Sequence, residues 1–211
     1  MYLIDTTYFQ SKPYSIPNIG EMQSDAALVL NSIIEEKVRE VLIGALGHAE
    51  FALLDAQITD GVLNAGADQK WKDLVNGVTY DGKKWNGLIY TQGGRVKSLL
   101  VPYVFHAYMS EDTPDYTGIG AAIQQGKNST IVSNVPTLVK AWNNFLEMYQ
   151  GYSTGMLPKV QTNGGLMYVD FLNNSYTDNN VITLLRYLSD HNDIYNGTSK
   201  RHYPMANRYD L

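Results

Sequence analysis

The chain has 211 residues, no cysteine and a formal net charge of −5. This length suits one domain, or two small ones, with its own core, and the lack of cysteine excludes disulfides, thiolate catalysis and Cys-containing zinc sites. The sixteen Lys and Arg residues are scattered, so the composition does not indicate the basic face of a nucleic-acid-binding protein.

The two ends of the chain are predicted to be extended arms around a core domain at residues 24–190. Residues 1–23 and 191–211 contain polar and aromatic residues without a sustained period, which is typical of chain that lies on another surface. Disordered tails are the alternative, although such tails usually contain fewer aromatic residues.

An amphipathic helix is predicted to follow the first arm. Ser24 or Asp25 can cap it, and Gly44 and Gly47 weaken or end it. Residues 48–58 then either continue the helix after a kink or form a second short helix. The apolar positions of the first helix recur at spacings of three and four, as one buried face requires: Ala27, Leu30, Ile34, Val38, Val41, Leu42 and Ala45.

Residues 71–109 contain most of the aromatic anchors and two Asn-Gly pairs, Asn76-Gly77 and Asn86-Gly87. Such pairs supply the positive φ angles of tight turns. Asp81-Gly82 predicts a short hairpin near residues 78–87. A helix with an apolar stripe over 96–108 is predicted next, and Pro102 should kink it or mark a change of direction.

The rest of the core domain has mixed patterns. Glycines in 116–132 indicate extended or irregular chain, and residues 166–172 resemble a strand. A helix is predicted to start near Pro136 and to end before Gly151. Asp178 can cap a last helix. The apolar positions of these two helices are Leu138, Trp142, Phe145 and Tyr149, and Val181, Leu184, Leu185 and Leu188.

Together these elements predict a mainly α fold, a small helical bundle with a short β-hairpin and extended N- and C-terminal arms. The α+β alternative remains open, because residues 78–80, 119–123 and 166–172 could join a small sheet. No run of about eighteen apolar residues occurs, so no transmembrane helix is expected.

Two local groups of histidine and carboxylate residues are candidates for a metal or acid-base site. Neither has the spacing that brings ligands onto one helix face, so no catalytic, cofactor-binding or metal-binding residue is assigned, and the chain is not expected to be an enzyme. The two groups are His48 with Glu50 and Asp55, and His191 with Asp190 and Asp193. His106 lies in an apolar helix and is interpreted as a core or interface histidine.

The order of these elements resembles the head-to-tail connector proteins of tailed phages of gut Bacteroidales, including the crAss-like phages. The motifs that carry the resemblance cover about the middle third of the chain: W-x-x-L-V-x-G-x-x-Y-x-G-K-x-W-x-G-L at 71–88, S-L-L-x-x-Y-V-F-x-x-Y-M at 98–109, T-G-I-G at 117–120, N-S-T at 128–130 and A-W-N-x-F at 141–145. Pro102 and the long segment 150–211 depart from a minimal connector.

The resemblance implies a structural virion protein, made in the host cytoplasm, that forms a ring with copies of itself between the portal protein and the tail. Its implied partners are therefore other copies of the chain, the portal protein and neighbouring tail or ring proteins, with passive contact to packaged DNA. No membrane and no cofactor are implied. The exposed acidic face of the first helix, with Glu35, Glu36 and Glu40, is a candidate for the channel lining, where phosphates should not adhere.

Aromatic residues are the predicted partner-binding positions, since Tyr and Trp are enriched where proteins meet. They are Tyr2, Tyr8, Tyr14, Trp71, Tyr80, Trp85, Tyr195, Tyr203 and Tyr209. The alternative function is a small carbohydrate-binding module or hydrolase, in which Trp71, Tyr80 and Trp85 would stack on a sugar.

Overall fold

A computed structural model describes most of the chain, namely residues 3–17, 19–20, 25–111, 115–117, 120–122, 135–151, 159–162, 165–168, 181–193 and 195. The α-helices in these ranges are α1 (Asp25–Leu46), α2 (His48–Asp55), α3 (Gln69–Asn76), α4 (Leu100–Glu111), α5 (Val135–Tyr149) and α6 (Leu184–Asp190).

Short strands lie between and after these helices. They are β1 (Ile58–Thr59), β2 (Val62–Leu63), β3 (Val78–Tyr80), β4 (Lys83–Trp85), β5 (Ile89–Gln92), β6 (Arg95–Ser98), β7 (Asp115–Thr117), β8 (Gly120–Ala122), β9 (Lys159–Thr162) and β10 (Gly165–Tyr168). Each pairs antiparallel with its neighbour in sequence, which gives five two-stranded ladders in the described part of the chain.

The prediction of a mainly α fold is therefore wrong, because hairpins recur throughout the chain and the architecture is mixed α and β. The segments that could have joined one sheet instead each pair with the adjacent strand. Tight turns close three of the ladders locally: positive φ angles occur at Asp60-Gly61, Asp81-Gly82 and Gly93-Gly94. Only the middle pair is among the predicted hairpin turns, although all three are Asp-Gly or Gly-Gly pairs, which favour such turns.

The first helix has the predicted buried face. All seven of its predicted apolar positions are buried, and the helix runs from Asp25 to Leu46. At Gly47 the chain turns with φ 82°, and α2 begins at the next residue. Of the two alternatives for residues 48–58, the second short helix is correct.

Two helix starts differ from those predicted. Helix α4 begins at Leu100, so Pro102 lies in the first turn, where a backbone N–H has no helical acceptor and its loss costs little. Val96 belongs to β6 and is 57% exposed instead of lying on the helix. Helix α6 begins at Leu184 and is capped by Thr183, whose hydroxyl accepts from the Arg186 N–H at 3.2 Å; Asp178 lies outside the described residues.

The core is assembled from α1, α4 and α5 with contributions from both ends of the chain. From the predicted arm 1–23, the side chains of Leu3, Ile4, Phe9, Ile16 and Ile19 are buried in this core. A single 3-10 turn, Thr6–Phe9, is capped by Asp5, which accepts from the Thr7 N–H at 2.9 Å. The described part of this segment thus packs on its own chain.

The two Asn-Gly pairs form a close backbone contact rather than two hairpin turns. Gly77 ends α3 with φ 90°, and Gly87 follows β4 with φ 95°. A Cβ at Gly77 would lie 2.5 Å from the Asn86 carbonyl carbon, and one at Gly87 would lie 2.6 Å from the Asn76 carbonyl carbon. Only glycine at both positions permits this approach.

We expect Gly77→Ala to lower the free energy of unfolding by about 3 kcal/mol or more, because it combines a backbone clash with a φ and ψ that only glycine adopts readily. Gly82→Ala is the matched control, since Gly82 has φ 72° and a Cβ added there would have nothing within 4 Å. It should cost about 1–2 kcal/mol. Urea unfolding followed by circular dichroism measures both; equal losses would show that the close contact contributes nothing.

Candidate functional site

The aromatic residues of α3 and the β3–β4 hairpin form one buried cluster with the C-terminal segment. The Trp85 indole stacks on the Tyr187 ring at 5.5 Å between centroids and 16° between planes. Trp71 packs against Tyr195 at 5.9 Å. Trp71 is 1% exposed and Trp85 is 3% exposed, so neither ring presents an open face to a ligand.

The polar atoms of this cluster have partners inside the chain. The Trp85 Nε1–H donates to the Leu74 carbonyl at 2.9 Å, and the Tyr195 hydroxyl donates to the Lys70 carbonyl at 2.6 Å. The Tyr187 and Tyr195 hydroxyls lie 3.4 Å apart. Buried Trp and Tyr side chains that satisfy their polar atoms in this way stabilise a fold.

Asp190 closes the cluster with an ion-pair network. Lys83 Nζ lies 2.6 Å from its carboxylate, Arg186 Nε lies 3.0 Å away, and the Tyr80 hydroxyl donates to it at 3.0 Å. Burial alone would raise the pKa of Asp190, but the hydrogen bonds from Lys83 and Tyr80 and the charge of Arg186 hold that pKa below its usual value. The Asp190 carboxylate is therefore held in its charged form, and its contacts link the hairpin to α6.

Members of both histidine and carboxylate groups considered in the sequence take part in structural contacts. His191 Nδ1 lies 3.0 Å from the Tyr187 carbonyl, and its ring packs edge-on against Tyr80 at 4.5 Å. Glu50 pairs with Lys70 at 3.0 Å. Within the described ranges, no group of three or more His, Cys, Asp or Glu residues is arranged to hold a metal ion. Burial lowers the pKa of His106, whose ring packs 5.1 Å from Trp142.

The predicted partner-binding residues fall into three groups. Trp71, Trp85 and Tyr195 are buried inside the chain. Tyr8, Tyr14 and Tyr80 are partly buried against the core, and Tyr2, Tyr203 and Tyr209 lie outside the described residues. Sequence reasoning missed Tyr187, although its spacing of four from His191 and of eight from Tyr195 was a helical signal for one shared face.

A cleft of about 940 Å³ lies elsewhere, between the N-terminal segment, the β5–β6 hairpin and helices α4 and α5. Sequence reasoning did not identify it, because its walls come from four separate parts of the chain. Its lining includes Tyr8, Tyr14, Tyr90, Lys12, Arg95 and Glu147.

The register of the β5–β6 hairpin determines one wall of this cleft. Tyr90 pairs with Lys97, and Gln92 pairs with Arg95. Side chains of paired residues lie on the same face of a ladder, and alternate residues along a strand share that face. These four side chains therefore project together, and all four line the cleft.

Hydrogen bonds hold the other walls in place. The Asn144 amide donates to the Tyr14 hydroxyl at 2.8 Å, and the Tyr90 hydroxyl donates to Met148 Sδ at 3.4 Å. Arg95 Nη1 donates to the Lys12 carbonyl at 3.3 Å, which links the hairpin to the N-terminal segment. Burial raises the pKa of Glu147. The cleft thus has aromatic walls, exposed cations and one half-buried carboxyl.

Comparison with protein-family models, with curated proteins and with solved structures gave no significant match to this chain. Among the helices that the structure describes, none combines the length and apolar character needed to cross a bilayer.

We expect Asp190→Asn to destabilise the fold by about 1–2 kcal/mol at pH 7, because Lys83 and Arg186 lose their anion. The pKa of Asp190 is lowered in the folded state, so its charge stabilises the fold above the ordinary Asp pKa of about 3.9, and this contribution is lost as the pH falls through the folded value. Urea unfolding at pH 7 and near pH 3 should show a difference from wild type that shrinks in acid.

Asp193→Asn is the control for this experiment, since Asp193 is exposed beyond the end of α6. It should change the free energy of unfolding little at either pH. A full-sized loss in Asp190→Asn that persists in acid would contradict a role for the charge.

Proposed function

We propose that the chain is a structural virion protein, a head-to-tail connector that forms a homo-oligomeric ring between the portal protein and the tail of a phage. The resemblance in element order and aromatic placement over 71–145 supports this role. It also supports the implied partners, which are copies of the chain, the portal protein and the adjoining tail proteins.

The β1–β2 hairpin is the observation that favours self-association most. Val62 is 69% exposed, the largest exposure among the bulky apolar side chains of the described residues. No third strand joins this ladder within the described part of the chain. Unpaired strand edges are templates for pairing with another chain, and a two-stranded ladder alone is marginally stable in water. Pairing with a neighbouring copy would stabilise it.

A ring needs one surface that binds a different surface on the next copy, with a rotation that closes. The exposed β1–β2 hairpin could supply the first of these surfaces, because its unpaired strand edge can hydrogen-bond to a different surface of the neighbouring copy. Glu35 and Glu36 are exposed on the outer face of α1. In the ring, this face together with Glu40 would contribute an acidic lining to the DNA channel, over which phosphates pass without adhering.

The carbohydrate-binding alternative loses its basis in these residues. Stacking on a sugar requires an open ring face, and the faces of Trp71 and Trp85 are covered by Tyr195 and Tyr187. Tyr80 alone is partly exposed, and its hydroxyl is engaged by Asp190.

We expect Val62→Asp to weaken self-association about tenfold, because an edge carboxylate must be desolvated on pairing. Size-exclusion chromatography with light scattering over a range of protein concentrations measures the mass. Leu28→Asp is the matched control, since Leu28 is 58% exposed on α1, away from any strand edge. It should leave the association constant unchanged.

Electron microscopy of the wild-type protein mixed with the portal protein of the same phage tests the ring directly. Closed rings seated on the portal are the expected result. A chain that stays monomeric at every concentration and does not bind the portal would overturn the proposal.

A further inference from the structure

The cleft between the N-terminal segment and the β5–β6 hairpin has the size of a small-molecule site. Ligand pockets of proteins span about 300–1,000 Å³ and are mostly apolar with a few placed polar groups. This cleft measures about 940 Å³. Its volume is thus sufficient for a compound of one to a few rings.

Aromatic side chains from two segments of the chain line the cleft. Tyr90 projects from the hairpin, and Tyr8 and Tyr14 project from the N-terminal segment. All three rings are partly exposed. Tyr14 is oriented by Asn144, and Tyr90 is oriented by Met148. Rings that are fixed in this way present flat apolar surfaces, on which a planar group can stack with little loss of side-chain entropy.

The charge of the cleft is opposite to that of the whole protein. Lys12, Arg95 and Lys97 line it and are exposed, whereas the chain carries a net charge of −5. Arg95 uses one N–H on the Lys12 carbonyl, and Lys97 donates one hydrogen bond to Gln92 at 2.7 Å. A guanidinium has five donors and an ammonium has three. Both side chains therefore keep donors for a ligand.

The half-buried carboxyl of Glu147 disfavours an anion at its own part of the cleft. Placing a ligand anion beside it would oppose two negative charges in a partly desolvated place. The favourable arrangement is the anionic group at the exposed cations and the uncharged ring against the tyrosines. The cleft therefore favours a molecule with these two parts over a bare anion or an uncharged ring.

We propose that this cleft binds a small molecule with a planar aromatic body and a single anionic group. The charge complementarity of Lys12, Arg95 and Lys97 selects the anion, and Tyr8, Tyr14 and Tyr90 hold the ring. This site lies on the β5–β6 hairpin and its own core, and it does not require that the chain form a ring.

The test uses two fluorescent probes on the full-length wild-type protein. 1-Anilinonaphthalene-8-sulfonate is an aromatic anion, and N-phenyl-1-naphthylamine is its uncharged analogue. We expect saturable binding of one sulfonate probe per chain, tighter than that of the uncharged probe. Raising the salt concentration should weaken the sulfonate probe alone, since exposed charges are screened.

Single and double variants distinguish the contribution of the cations to probe binding from that of the tyrosine rings. Lys97→Met and Arg95→Met should each weaken the sulfonate probe about three- to fivefold, and the double variant about tenfold, with no change for the uncharged probe. Tyr90→Leu should weaken both probes. Lys140→Met is the matched control, because Lys140 is exposed on α5 and does not line the cleft; it should change neither.

Two results would overturn the proposal. One is a sulfonate affinity in the double variant equal to that of wild type. The other is non-saturating binding, which is the mark of scattered apolar surface. Circular dichroism of each variant checks the fold, and Lys97→Met keeps the test decisive if Arg95→Met loosens the N-terminal segment.

Discussion

The close backbone contact between the two Asn-Gly pairs determines the position of everything that packs on the central part of the chain. With glycine at 77 and 87, the end of α3 and the end of β4 approach closely enough for the Leu74 carbonyl to accept both the Leu88 N–H at 3.1 Å and the Trp85 indole N–H at 2.9 Å. The indole is then directed inward, and its face becomes the surface on which α6 packs.

The C-terminal segment depends on this surface. Tyr187 stacks on Trp85, and the Ile182 N–H donates to the Lys84 carbonyl at 2.9 Å. A segment nearly one hundred residues later in the sequence is thus hydrogen-bonded to strand β4. The Asp190 network then joins the outer side of the hairpin to the end of α6. Because an ion pair gains strength only when its groups are already held together, this network depends on the aromatic packing beneath it.

The elements that sequence reasoning predicted correctly are those with a strong local signal. Helix α1 has an unbroken apolar period over six turns, and α5 has both a proline near its start and a glycine just after its end. The β1–β2 and β5–β6 hairpins have strands of two and four residues, too short for an alternating pattern to emerge. Their turns, Asp60-Gly61 and Gly93-Gly94, are of the Asp-Gly and Gly-Gly types that favour two-residue hairpins. The prediction of a mainly α fold followed the apolar periods of the helices and left this turn signal unused.

The partner-binding residues were predicted from residue type, and residue type does not determine exposure. Tyr80 and Asp190 are 110 residues apart in sequence, and no local pattern indicates that such residues meet. No local pattern indicates the cleft either, since it forms only when the N-terminal segment, a hairpin and two helices come together. Long-range packing, which a single sequence does not reveal, determines which aromatic residues are internal and which line a cavity.

The burial of the large rings has a consequence for the proposed ring assembly. With Trp71, Trp85 and Tyr195 inside the chain, the apolar side chain at the proposed β1–β2 contact is the aliphatic Val62. Aliphatic contacts without aromatic anchors usually give weak binding at a single interface. A closed ring compensates for this weakness, because every copy is held at two interfaces and leaving the ring requires both to break. In the proposed ring, contacts of this kind would therefore be weak between two copies and stable after closure.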